Sequence, residues 1–346
     1  MCTNKIFTNI QDNQIIMPII LKTGLYRKQI VGQAKEYHFG PFKWSRDLFG
    51  KVFDANRSIF KQFDYLYLLN SNLGEAFLFF KFFHSELERR NTEEGKRTLI
   101  VTTKQTHFDI AQAFGIRNIV YLSGFSAGCY ETSFTYRGKE FFVVFNDEYF
   151  ARTEKTICML NGHFFFEMSK TLQVKPANFE SRRVSISPEV AQAAQIKAEN
   201  LGLQLDNFVM IIPHANSCQD LDKQLLQVLV RGLVAQGRHV FINTWEEYPV
   251  KHPLIHTSYS FTLQELFVLA QRAQEIVAIR CGLVDFLSDA RTPMTVVSSA
   301  FKSRSDWVPM AEDEVLSGFN LRAISPQYNF IREIKLSEFE NEILNC

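Results

Sequence analysis

Seven short apolar runs, separated by stretches of helical periodicity, constrain the fold of this chain more than any other feature. In the first half they are Tyr65-Leu66-Tyr67-Leu68-Leu69, Thr98-Leu99-Ile100-Val101-Thr102 and Asn118-Ile119-Val120-Tyr121-Leu122. In the second half they are residues 207–212, His239–Asn243, Glu275–Ile279 and Met294–Ser298. A run that is apolar throughout, rather than at alternate positions, marks a strand buried on both faces. Amphipathic helices between such strands supply the cover. The chain therefore reads as α/β, with parallel sheets assembled from βαβ units.

The segments between the runs carry matching helix signals. Helices are expected over 73–90, 106–114, 221–235, Leu263–Arg272 and 283–290, with Gly237 suited to a left-handed cap after the third. Ser187-Pro188-Glu189 combines a capping hydroxyl, a proline in the first turn and an early acid, which together start a helix. Tyr136-Arg137-Gly138-Lys139 reads as a turn between two extended arms, and 148–172 as helical. Gln173-Val174-Lys175-Pro176-Ala177-Asn178 is polar and broken by proline, so the domain boundary is expected there. This gives an N-terminal extension (1–63) on or near the first domain, Rossmann-like domains over 64–175 and 176–335, and a terminal helix over 336–346 able to cross back to the first.

At 346 residues the chain is long enough for two cores. A net charge of +1 leaves no broad basic field, so nucleic acid is not expected as a partner. The six cysteines (Cys2, Cys129, Cys158, Cys218, Cys281, Cys346) form no C-x-x-C pair and no metal-ligand spacing. They read as reduced thiols, and no metal or cofactor is expected. Met1-Cys2-Thr3-Asn4-Lys5 lacks the apolar core of a signal peptide, and no apolar run approaches the ~20 residues of a membrane span. The expected location is cytoplasmic. Phe42, Trp44, Phe49, Phe53, Phe60 and Phe63, interleaved with Lys43, Arg46, Lys51, Arg57 and Lys61, suit peripheral contact with an anionic membrane, the shaping of an acceptor site, or a core face backed by solvated charge.

Candidate chemistry lies where strands give way to helices. After Tyr65–Leu69 comes Asn70-Ser71-Asn72-Leu73-Gly74-Glu75-Ala76-Phe77. Gly74 permits close backbone approach, and Glu75 sits in the first helical turn beside unpaired N–H groups. That carboxylate is either a general base or an acid favoured by the helix dipole, worth ~0.3–1 kcal/mol. The dipole also lowers its pKa, so a working base needs partial burial. In the second half, Pro213-His214-Ala215-Asn216-Ser217 follows a buried strand and, with backbone N–H groups ahead of the next helix, suits a diphosphate. His214 is equally readable as structural, and Lys223 as a solvated charge. Arg280-Cys281-Gly282-Leu283-Val284-Asp285 places an arginine and a glycine at another strand end, fit for a phosphate oxygen, or for an ion pair with Asp285 or Asp289. The long stretch 244–262, with Trp245, Glu246, Glu247 and His256, is expected as a loop without a motif. Gly124-Phe125-Ser126-Ala127-Gly128 matches a nucleophile elbow, but an extended rather than helical segment follows it.

In this order the pieces resemble the heptosyltransferase-like glycosyltransferases of the GT-B fold. The turn 71–77, the helix start at Ser187-Pro188-Glu189, the strand end 212–217 and Ser260-Phe261-Thr262-Leu263-Gln264-Glu265-Leu266 carry the resemblance, which spans roughly 64–300. It implies two Rossmann-like domains facing a central cleft, with inverting, metal-independent transfer from a nucleotide-sugar donor to a hydroxyl of a bacterial surface glycan or glycolipid. Glu75 would then be the base, Asn72 and Gly74 the acceptor-side turn, and His214, Asn216, Ser217, Lys223, Arg280 and Gly282 the donor side. Two positions depart from the family. Glu75 stands where aspartate is usual, and the donor loop reads Arg280-Cys281-Gly282 rather than acid, small hydroxyl, glycine and histidine. The donor sugar is left open by this difference.

Overall fold

The computed structural model describes residues 54, 57–69, 72–93, 95, 97–102, 104–121, 133–136, 139–144, 182–302, 311–318, 320–321 and 328–344. Expectations for 122–132, 145–181 and most of 1–63, including the helix over 148–172, Ser126 and the proposed boundary, fall outside the described residues. The described chain divides into two units between Arg183 and Val184.

In the first unit, β1 (Tyr65–Leu69) leads into α1 (Leu73–Thr92), followed by β2 (Thr98–Thr102), α2 (Gln105–Ala113) and β3 (Ile119–Tyr121). The hairpin β4 (Ser133–Tyr136) and β5 (Lys139–Val144) follows, with Tyr136 opposite Lys139, as the turn signal predicts. The sheet order is β3-β2-β1-β5-β4, parallel except for the edge strand β4. Leu66–Leu69 and all of β2 are buried, because α1 contributes Ala76, Phe77, Phe79 and Phe80 to the core. Phe60 is buried beside exposed Arg57 and Lys61, so this part of the aromatic and basic segment has a core face and a solvated one.

The second unit opens with α3 (Pro188–Asn200), where Ser187 Oγ accepts the Val190 N–H and Pro188 takes the first turn. Then come β6 (Phe208–Ile212), α4 (Lys223–Ala235), β7 (His239–Asn243), β8 (Ile255–Ser258) and α5 (Leu263–Arg272). β9 (Glu275–Ile279), α6 (Gly282–Leu287), β10 (Met294–Ser298), α7 (Glu312–Gly318), β11 (Ile331–Lys335) and α8 (Leu336–Leu344) complete it. All six strands are parallel, in the order β11-β10-β9-β6-β7-β8. Counted within the unit this is 3-2-1-4-5-6 read from the other edge, the doubly wound dinucleotide-fold order. Every residue of β6 is buried, as expected of a central parallel strand. α8 packs on α4, β10 and β11 of its own unit.

Two strands were not predicted. β8 lies within the stretch expected to be a loop, and β11 precedes the terminal helix. Each forms an edge of the sheet and is mostly polar, Ile-His-Thr-Ser in β8 and Ile-Arg-Glu-Ile-Lys in β11, so neither shows the continuous apolar run that identified the others.

A histidine pair ties β8 to its neighbours. His256 Nδ1 donates to Leu201 O at 2.8 Å, so its Nε2 accepts from His239 Nδ1 at 3.0 Å, a tautomer assigned from these partners. Burial, together with the nearby His239, holds the His256 pKa below its ordinary value. The folded state therefore prefers neutral His256. Its contribution is complete above the unfolded pKa of about 6.5 and is lost as pH falls from there toward the lower folded value. The urea midpoint should fall more steeply between pH 7.5 and 5 in the wild type than in His256→Gln. Equal slopes would assign the acid sensitivity elsewhere.

Candidate functional site

In open α/β sheets, ligands bind beyond the carboxyl ends of the strands, where the strand order reverses. In the first unit the reversal lies between β1 and β5, since β1 pairs with both β2 and β5 in parallel. The turn leaving β1 is therefore at the reversal. Asn72 is the extended N-cap of α1 (φ −77°, ψ 171°), Gly74 is buried, and Glu75 is half-buried at the third helical position. Glu75 Oε2 accepts the Asn72 N–H, the reciprocal arm of a capping box. The carboxylate thus helps to start its helix at the reversal of the sheet.

In the second unit the reversal lies between β6 and β9. The loops leaving these strands are the two singled out in the sequence, Pro213–Ser217 and Arg280–Gly282. The loop after β6 is held rigidly. Asp220 Oδ1 accepts the Ala215 N–H at 2.9 Å and the Lys302 ammonium at 2.8 Å, while Ser299 Oγ donates to Gln219 O at 2.6 Å. Burial works to raise the Asp220 pKa. The Lys302 ammonium and the Ala215 N–H outweigh it and hold the carboxyl below its usual range. His214 hydrogen-bonds Thr244 Oγ1 through Nε2 at 2.8 Å, and its Nδ1 lies 3.4 Å from Asp220 Oδ2 without hydrogen-bond geometry. Asn216 is exposed and Ser217 half-buried on the same loop.

Three expected donor contacts take a different form. The helix after this loop starts at Lys223, and the N-cap carboxylate of Asp222 accepts the Gln224 and Leu225 N–H groups at 2.8 and 3.2 Å. The protein's own anion therefore occupies the place foreseen for a diphosphate. Lys223 is exposed and pairs with Glu246 at 2.8 Å, which lowers the Glu246 pKa and raises that of Lys223. Arg280 turns inward. Its fork grips Asp285 by two bonds, Nη1 to Oδ2 at 2.9 Å and Nη2 to Oδ1 at 2.7 Å, and Nη1 also donates to Cys281 O at 2.9 Å. Burial opposes the charge on Arg280, but Asp285 outweighs it and keeps the guanidinium protonated. The ion pair with Asp285 is what forms, because both side chains are at most 7% exposed and neither charge could stay there alone. Arg280 thus shapes the loop, leaving Gly282 as the first residue of α6. Burial pushes the Cys281 thiol up, consistent with a packing role.

An aromatic group at the ends of β6, β7 and β8 escaped the sequence reading. Trp245 stacks on the His214 ring with centroids 4.4 Å apart and planes 27° apart, and Tyr259 meets Trp245 edge-on at 5.2 Å and 85°. The available signal was Trp245 two residues beyond an apolar run. The shortness of β8 hid the equivalent position of Tyr259. Among the described residues no three His, Cys, Asp or Glu side chains converge as a metal site, and no helix is long and apolar enough to cross a membrane.

No family model matches the chain, and no curated protein matches it in sequence. Solved structures do. A glycosyl transferase family 9 protein from Veillonella parvula is 11% identical at a TM-score of 0.48, over 79% of this chain and 86% of that one. E. coli heptosyltransferase WaaC with ADP is 9% identical at 0.45, over 81% and 98%. The dodecameric iron-containing heptosyltransferase TibC, in complex with ADP-D-β-D-heptose, is 15% identical at 0.41 over 68% of this chain, which spans only 59% of TibC. Heptosyltransferases and a family 9 glycosyltransferase are thus among the solved structures to which this chain is similar.

Proposed function

We propose that this protein is an inverting glycosyltransferase that moves a sugar from a nucleoside-diphosphate donor to a hydroxyl of a bacterial surface glycan or glycolipid. The observation that carries the reading is the coincidence of motif and topology. Two of the segments that resemble the heptosyltransferase-like pattern, the 71–77 turn and the 212–217 strand end, leave β1 and β6, one in each unit, and these are strands at which the sheet order reverses. The second unit takes the donor, with the rigid 213–217 loop and Gly282 lining the reversal. Asn72 and Gly74 in the first unit shape the acceptor side. Glu75 removes the proton from the acceptor hydroxyl, the oxygen attacks the anomeric carbon, and the nucleoside diphosphate departs with its bonding electrons, inverting that carbon. With the helix-start N–H groups taken by Asp222, hydrogen bonds from the remaining groups of the 213–217 loop stabilise the leaving diphosphate. The reaction is taken to need no metal and to occur in the cytoplasm, with the acceptor presented at the membrane face.

A non-catalytic, nucleotide-binding protein of the same fold is the second reading. It is favoured by the engagement of Glu75 in its own helix cap and of Arg280 with Asp285. A panel of nucleotide sugars separates the two. The transferase reading expects nucleoside diphosphate to be released in an acceptor-dependent, chelator-insensitive reaction. Tight binding without turnover for any donor and acceptor extract would establish the second reading.

A further inference from the structure

We infer that Trp245 and Tyr259 form a stacking platform for the nucleobase of a nucleoside diphosphate bound at the end of the second sheet. The inference rests on the donor role of this unit proposed above. Scattered exposed apolar side chains need no explanation, but these two are large, adjacent and aromatic, and are 58% and 61% exposed. They are also fixed from beneath. Thr244 is buried, and its Oγ1 bonds His214 Nε2 at 2.8 Å and accepts the Glu246 N–H at 3.0 Å, so the ring under Trp245 and the backbone after it are pinned by one hydroxyl. One face of the indole is thereby covered and its plane set, while Tyr259 approaches by an edge contact. An indole held in this way is preorganised to receive a second flat ring.

The place selects the class of ring. In this strand order a nucleotide's phosphates sit at the turn after the first strand and its ribose at the end of the second, which puts the base further along the same edge. Here Asp222 fills the helix start after the first strand, so the phosphates fall to the 213–217 loop ahead of it, while the end of the second strand carries Trp245 and the end of the third carries Tyr259. Stacking tolerates any base because every base has a π face. The platform therefore supplies affinity for the nucleoside with little choice between purine and pyrimidine.

Calorimetric titration with ADP, UDP and inorganic pyrophosphate tests this on the full chain. Trp245→Ala should weaken both nucleoside diphosphates by roughly 5- to 150-fold, the size of one base–aromatic stack, while Trp245→Phe keeps most of the affinity and pyrophosphate is unaffected by either. Nucleotides that bind equally well to the wild type and Trp245→Ala would overturn the platform and leave the donor reading standing. Equal weakening of pyrophosphate and nucleotides would overturn it by showing a collapsed loop. No nucleoside diphosphate binding to the wild type would overturn both readings together.

Discussion

Asp285→Ala should destabilise the second unit by about 3–5 kcal/mol, lowering its thermal midpoint by on the order of 10 °C. The substitution takes the bidentate carboxylate away from a buried guanidinium, which keeps its bond to Cys281 O and the more distant charge of Glu333. Such a charge has no inexpensive escape, since arginine does not give up its proton. The companion double variant, Arg280→Met with Asp285→Leu, should recover most of the loss, because replacing both members of a buried pair with apolar groups is commonly neutral or stabilising. Urea unfolding of the second unit's transition measures both. A loss below about 1 kcal/mol for Asp285→Ala would mean that water reaches the guanidinium and that the loop does not depend on the pair. Because Arg280 works inside the loop, any loss of nucleotide affinity in Arg280→Ala should come with a comparable loss of stability.

The second large effect concerns Glu75. If its carboxylate takes the acceptor proton, Glu75→Gln should lower turnover by about 10²–10⁴-fold, the usual worth of general base catalysis. Nucleoside-diphosphate affinity should remain as in the wild type. Glutamine is the informative replacement because it also completes a capping box, so its side-chain oxygen can still accept the Asn72 N–H. Helix α1 then keeps its start, and a loss of activity cannot be ascribed to a frayed helix. Glu75→Ala removes base and cap arm together and should add a stability loss of about 0.5–2 kcal/mol. Turnover unchanged in Glu75→Gln would remove the base assignment and leave Glu75 as the capping residue the structure shows.

The alternation of buried strands and helices was legible because central parallel strands must be apolar on both faces, and β1, β2, β6 and β9 obey that requirement. The Ser187 cap was legible because its hydroxyl acts on an N–H only three residues away. β8 and β11 were not, because an edge strand answers to one neighbour and to water and so carries a mixed pattern. At the candidate site the sequence located the loops but not the direction of their side chains. Arg280 could as well have faced a phosphate as Asp285, and only the fold decides which. Asp222 was likewise invisible as the occupant of the helix start until the helix was seen to begin at Lys223. The Trp245 platform depends on a histidine thirty-one positions earlier in the chain, a relation that no local pattern encodes.

The parallel pairing of β6 with β9 also bears on how the molecule comes into being. Val209 lies opposite Glu275 and Ile212 opposite Ala278, partners separated by two intervening strands and two helices. Closing so long a stretch of chain costs entropy before any contact repays it, which makes such pairing slow. β6–β7 can assemble from nearby segments, whereas the reversal of strand order exists only after β9 has docked. The 213–217 loop and Gly282 therefore come together late in folding, after the Trp245 and Tyr259 strand ends. A nucleoside diphosphate added during refolding should act on the last steps, trapping finished molecules without hastening the first collapse.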